Sequence, residues 1–278
     1  MGHADRIHVE TLDRIRNENS NIKIIEWNVD NLLLDNTKEK LIKRSPYLDG
    51  IFSTTSDEIL SECKDRNFVT YFPNIVDRSI DRLRIFKQEK HKNDIFFALS
   101  HGVGTGKLRN KNKIMENRDE RVIFFRQLIK LNPHVKFDLY GFDEIEPIWA
   151  NNFLNKINDS YMGVCLQRKP LLKYSLSDRL AQYAGNGLMV FIENDTKFYE
   201  FFIDNEDAVF FENFDDLSKK INYYKNNKDE AIRIAENGYN KLHTYCNERV
   251  VTNYFIDCLN DPNKGLLNSR YAWPVHLY

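Results

Sequence analysis

No paired cysteines, no membrane-length apolar run and almost no excess of charge are found in this chain of 278 residues, and each absence closes off a class of function. Cys63, Cys165, Cys246 and Cys258 are scattered, without a Cys-x-x-Cys pair or a histidine at ligand spacing, so they read as reduced, cytosolic thiols. The formal net charge of −1 offers no bulk attraction to nucleic acid or to an anionic membrane, and any basic function has to be local. The N-terminus lacks an apolar signal core and the serine that myristoylation wants, and no apolar stretch approaches the length of a membrane span. The expectation is a soluble, cytoplasmic protein without nucleic-acid partners, with a peripheral contact at the inner face of the cell membrane left open. An Asp-x-Asp motif is also missing, so neither an obligatory metal nor a bound cofactor is expected.

What is present suits two modest α/β domains. Hydrophobic residues make up 42% of the chain, including 19 phenylalanines, enough for real cores. Helical periodicity over residues 8–19 is followed by apolar runs at 22–27, 48–53 and 68–72, with a helix expected over 57–64. The charge-rich stretch 77–92 reads as a linker, after which the alternation restarts. Strands are expected at 94–100, 135–140, 162–166, 188–192 and 206–211, and helices at 118–131, 149–157, 214–226, 228–247 and 248–260. Alternation of this kind predicts parallel, doubly wound sheets with a cleft between them. The boundaries follow as 1–92, 93–260 and a tail at 261–278.

One stretch, residues 174–192, organises the rest. Ser175 or Ser177 is placed to cap a short helix, leaving backbone N–H groups for an anion. Arg179 and Gln182 are three apart and share a helix face, a guanidinium suited to a diphosphate and an amide suited to vicinal ribose hydroxyls. Gly185, Asn186 and Gly187 then break the helix before a buried strand, reading as a turn that a ligand approaches. The alternative is an ordinary helix-to-strand connection with a glycine C-cap, and spacing alone leaves both open. Asp178 is a second cleft candidate or only a cap, and Tyr174 a platform for a base.

The second candidate is the glycine-rich loop SHGVGTGKLR at residues 100–109. It is not a P-loop, because His101 stands where a glycine is required and Leu108 replaces the hydroxyl residue that holds magnesium. It is not a dinucleotide fingerprint either, since its third glycine comes early and no acidic residue closes the strand at Tyr140. What survives is a flexible loop whose Gly102 amide, Lys107 and Arg109 are suited to a diphosphate, with His101 beside them.

With that loop, YGFDEIEPIWANNF at 140–153, LSDRLAQYAGNG at 176–187 and the run 198–247, the chain resembles GT-B glycosyltransferases, in a bacterial group related to CgeB-like transferases. The resemblance implies two Rossmann-like domains, the C-terminal one holding a nucleotide-sugar donor as co-substrate and the N-terminal one a glycan or lipid-linked glycan acceptor. By position Arg179 would contact the donor phosphates, and Gln182 stands where many such enzymes have a ribose-binding glutamate. The loop before the central helix reads Cys165, Leu166, Gln167, Arg168 and Lys169, keeping the arginine of the family pattern but losing its asparagine and glycine. An inverting enzyme also needs a general base from the N-terminal side, for which His3, Asp5 and Asp30 are the candidates. The family pattern further implies strands ahead of Gly2, so the N-terminal domain is expected to be incomplete. Transfer of a sugar to a lipopolysaccharide- or capsule-type glycan is the implied activity; a non-catalytic nucleotide-sugar-binding remnant is the alternative.

Overall fold

The computed structural model describes residues 7–33, 36–56, 58–63, 68–99, 119–175, 177–262 and 271–273. Two parallel sheets carry the chain. The first is formed by β1 (Ile25–Asn28), β2 (Gly50–Ser53) and β3 (Phe68–Tyr71) in that order. The second has the order β5-β4-β6-β7-β8, built from β4 (Ile95–Ala98), β5 (Phe137–Tyr140), β6 (Met162–Cys165), β7 (Met189–Glu193) and β8 (Val209–Phe211).

The alternation expected from the sequence holds, with short strands lying inside the predicted runs except that β1 and β7 each run one residue past theirs. Strand residues divide between the two faces with the period of two that a pleated strand imposes. Met189 and Phe191 of β7 pack in one cluster with Val122 and Phe125, while Val190 and Ile192 pack in another with Leu180 and Ala184. Both faces are covered, which is why these strands read as unbroken apolar runs.

Helices α1 (Val9–Glu18) and α2 (Thr37–Arg44) flank the first sheet. Helix α2 is absent from the sequence reading because only Leu41 and Arg44 of its TKEKLIKR face inward, leaving no apolar period to detect. Arg44 is instead held by a bidentate, buried ion pair with Glu26 of β1. The helix expected over 57–64 is a 3₁₀ segment, Glu58–Cys63.

Helices α3 (Glu120–Leu131), α4 (Ala150–Ile157), α5 (Arg179–Asn186), α6 (Phe214–Asn226) and α7 (Lys228–Tyr245) belong to the second sheet. Side-chain caps close the N-termini of α3 and α6, where Asp119 accepts from the Arg121 amide and Asn213 from the Asp216 amide. The last helix, α8 (Glu248–Asn260), follows the second sheet in the chain but packs on the first. Its Phe255 ring lies 4.1 Å from Phe52, and its Tyr254 hydroxyl is 2.7 Å from Thr70 Oγ1. These contacts lay 248–260 on the first sheet although it follows the second in the chain.

Candidate active site

In the second sheet β4 pairs with β5 on one side and with β6 on the other, so the crossovers leave in opposite directions from the β4/β6 gap. Such a switch point, at the carboxyl ends of the strands, is where open α/β sheets bind ligands. The gap is physically open: β4 and β6 are in register only at Ile95 with Met162 and Phe96 with Gly163. Beyond that pair, side chains from α5 replace the ladder. The Ala98 N–H donates to the Tyr183 hydroxyl at 3.0 Å, and the Ala98 carbonyl accepts from Arg179 Nε at 3.0 Å. Gly163 makes room for this, since a Cβ there would stand 2.6 Å from Tyr183 Cδ2.

Arg179 therefore lies in the switch point rather than out on a helix face. Its Nη1 donates to Ser177 Oγ at 2.9 Å and to the Leu166 carbonyl at 3.4 Å, and its Cζ sits 5.3 Å from the Phe97 ring. Desolvation pushes the guanidinium below the ordinary arginine value, and Arg121 adds repulsion. Arg121 is itself neutralised by Asp119, Nη2 to Oδ2 at 2.6 Å. Among the described residues no carboxylate lies within the 4.0 Å of an ion pair with Arg179, so this half-buried cation is opposed only at longer range, by Asp119.

The first sheet closes the other side. Asn31 Nδ2, after β1, donates to the Pro170 carbonyl at 2.9 Å, and the Ser56 amide, after β2, donates to the Lys173 carbonyl at 2.8 Å. These bonds bring the segment after β1, with Asp30, close to residues 170–178. The Asp178 carboxyl is pushed above the usual carboxylate range by desolvation, with Arg179 opposing and Asp30 reinforcing.

Other expected site residues fall elsewhere. His3, Asp5, His101, Gly102, Lys107 and Arg109 lie outside the described residues. Arg168 is exposed and Gln182 half-buried. Neither Ser175 nor Ser177 caps α5: the N-cap position is Asp178, without a side-chain cap bond, and Ser177 bridges Gln167 and Arg179 instead. Tyr174 is no platform for a base, because its ring is buried between Tyr71 at 5.1 Å and Phe198 at 5.5 Å and its hydroxyl donates to Glu200.

The Gly185, Asn186 and Gly187 turn is also not a ligand turn. It sits at the far end of an eight-residue helix, about 12 Å from the switch point at 1.5 Å per residue. Asn186 clamps the inter-sheet segment, its Oδ1 accepting from the Arg82 and Leu83 amides at 3.1 and 3.3 Å and its Nδ2 donating to Asp81 at 2.9 Å. Gly187, with φ +94°, is the C-cap, and Gly185 admits Val76.

Two site residues were not anticipated. The Gln167 amide nitrogen of the backbone donates to Glu193 Oε2 at 2.8 Å, and its side-chain Oε1 accepts from the Ser177 N–H at 3.0 Å. Glu193, at the end of β7, is buried and its carboxyl is pushed up by desolvation. A polar pair at the ends of two apolar strands was the available signal. Among the described residues no group of three or more His, Cys, Asp or Glu is placed to hold a metal ion, and no helix is long and apolar enough to cross a membrane.

Residues 118–254 match the family model described as glycosyl transferase-like. Among solved structures the chain is similar to TarM of S. aureus, with a TM-score of 0.61 and 14% identity, covering 91% of this chain and 53% of TarM. It has the GT-B glycosyltransferase fold. Anabaena HepE, solved with UDP and glucose, superposes with a TM-score of 0.59 at 11% identity, over 91% of this chain and 76% of HepE. A glycosyltransferase from Rickettsia africae gives 0.54 at 12%, over 94% and 81%. The chain thus spans about half the length of TarM, 53%, and more of the others. No curated protein sequence matches it. At these identities the GT-B likeness concerns the fold, and the match over 118–254 takes in β6 and Arg179 but not β4.

Proposed function

We propose that this protein is a glycosyltransferase that takes a sugar from a uridine-diphosphate donor held at the β4/β6 switch point and passes it to a hydroxyl of a glycan acceptor. The observation that carries this reading is Arg179, a half-buried cation at the carboxyl end of the parallel sheet that has no carboxylate within ion-pair distance among the described residues. A diphosphate supplies both an opposing charge and the bidentate acceptor geometry that a guanidinium takes. The same contact strengthens as the sugar–phosphate bond breaks and negative charge builds on the leaving oxygen, so it lowers the barrier as well as binding the donor. UDP is the choice of nucleotide because TarM and HepE were solved with it.

The acceptor enters from the β1 side, where Asp30 stands next to Asn31, whose side chain bonds the Pro170 carbonyl; Asp30 would take the acceptor proton in an inverting reaction. The chemistry assigned here runs without a metal. A surface polysaccharide or lipid-linked glycan at the inner face of the cell membrane is the acceptor class we assign. Calorimetric titration with UDP tests the donor site, with Arg179→Met as the control that removes the charge but keeps most of the volume. Binding should be lost by at least about a hundredfold, ~2.7 kcal/mol, while the melting temperature holds within about 4 °C, because a removed ion offsets the hydrogen bonds it made. Equal UDP binding by both proteins would end the proposal. UDP binding without UDP release from UDP-glucose or UDP-GlcNAc, with glycan acceptors present, would favour the non-catalytic reading.

A further inference from the structure

A second donor to the anion is built into the wall of the cleft. Gln167 is 8% exposed, and its side-chain nitrogen Nε2 is buried with no hydrogen-bond partner. Its surroundings fix which end of the amide is which. The Ser177 N–H donates to Oε1 at 3.0 Å, so Oε1 is the acceptor and Nε2 the end that carries two N–H groups. The backbone is pinned as well, through the Gln167 N–H to Glu193 Oε2 at 2.8 Å. An amide held at two points cannot turn to satisfy its third group, and a buried donor left unpaired costs about 1–3 kcal/mol. Ser177 ties the two residues together, since its Oγ accepts from Arg179 Nη1 at 2.9 Å while its N–H donates to Gln167 Oε1. Amide and guanidinium thus share one residue as their pivot. Among the described residues Arg179 has no carboxylate within ion-pair distance, and Gln167 Nε2 has no hydrogen-bond partner.

We infer that Gln167 Nε2 donates to a phosphate oxygen of the nucleotide diphosphate, acting with Arg179 as a neutral second arm of the donor site. The inference rests on the donor-site reading given above. The neutrality matters: a second cation at this position would face Arg179 across Ser177, whereas an amide adds a donor without adding repulsion. Because Nε2 is enclosed, the oxygen reaches it as the side chains around it shift, and the interaction belongs to the bound form. Glu193 acts through Gln167 as a positioning residue, holding its backbone.

Two substitutions separate a ligand role from a structural one. Gln167→Glu keeps an oxygen for the Ser177 N–H but puts a carboxylate where the donor was; Gln167→Ala removes both ends. If Gln167 merely braces the loop, glutamate is the milder change. If it donates to phosphate, glutamate is the harsher, because it pairs with Arg179 and repels the anion. The experiment is calorimetric binding of UDP to the full chain and the two variants, with melting temperatures and circular dichroism recorded alongside. The expected result is a loss of UDP affinity of about tenfold for Gln167→Ala, ~1.4 kcal/mol, a larger loss for Gln167→Glu, and a folded spectrum for both. Wild-type UDP affinity in Gln167→Glu, or affinity equal to or better than that of Gln167→Ala, overturns the inference. So does an effect confined to UDP-glucose, since that would place Nε2 on a sugar hydroxyl. Arg179→Met distinguishes the two failures. If Arg179→Met loses UDP and Gln167→Glu does not, only this inference falls; if neither loses it, the donor site itself is misplaced.

Discussion

The switch point depends on the absence of one methyl group. A Cβ on Gly163 would lie 2.6 Å from Tyr183 Cδ2, 3.2 Å from its Cε2 and 3.3 Å from Leu188 Cδ1. The ring has little room to retreat. Phe96 meets it edge-on with centroids 5.4 Å apart, Phe153 stacks at 6.5 Å, and the Ala98 amide holds its hydroxyl at 3.0 Å. Forcing a methyl into such a site costs about 1–3 kcal/mol. Loss of the Ala98 hydrogen bond adds about 1–2 kcal/mol where the ring moves. Gly163→Ala should therefore destabilise the protein by about 2–5 kcal/mol, lowering the melting temperature by roughly 4–20 °C for a chain of this size. The Tyr183 hydroxyl also lies against the Arg179 guanidinium, so UDP affinity should fall with it. A thermal melt and a UDP titration read both effects. The decisive comparison is a double-mutant cycle with Tyr183→Leu, which removes the ring that the new methyl strikes. In that background Gly163→Ala should cost less than about half of its value alone. Additivity to within about 0.5 kcal/mol would mean the two residues are not coupled and would refute the packing argument.

Two further outcomes test the clamp between the sheets. Desolvation pushes the Asp81 carboxyl up to about 6, against hydrogen bonds from the Asp77 amide and Asn186 that pull it down. Its native value lies above the unfolded one, so the native state holds the extra proton between them; stability contributed at low pH is lost as pH rises from about 4 through about 6 and is level above. A displacement of about two units corresponds to ~3 kcal/mol, so urea denaturation should show the wild type losing stability relative to Asp81→Asn over that interval, and a difference that stays constant from pH 4 to 7 would contradict this. Gly187→Ala meets both a backbone penalty at φ +94° and contacts at 2.7 Å to Phe86 Cδ1 and 2.8 Å to Ile85 N, so a melting temperature lowered by at least about 5 °C is expected. A drop of less than about 2 °C would show that the inter-sheet segment yields more easily than this packing suggests.

How far the sequence carries varies with the kind of interaction. Apolar periodicity located seven of the eight helices and all eight strands among the described residues, because burial of one or both faces is written directly into residue order. Helix α2 escaped because its inward contacts are a single leucine and an arginine paired with Glu26, and an ion pair leaves no period. The motif around Arg179 was legible as the centre of the site, but its two ends were read as one. The helix axis separates them: Arg179 and Ser177 stand at the carboxyl ends of the strands, whereas Gly185, Asn186 and Gly187 stand at the opposite edge and serve the inter-sheet clamp. Tyr174, adjacent in sequence to the site, is turned into the core by its contacts with Tyr71 and Phe198.

By itself the sequence determined that two sets of α/β units would form and that their strands would be parallel, since these follow from local periodicity and residue type. Only the tertiary structure decided that β4 and β6 part after two paired residues, that Arg179 enters that gap, and that Gln167 is linked to it through Ser177. Strand order, and the contacts it creates between residues distant in sequence, are set by how whole faces pack, and no single stretch of sequence contains that information.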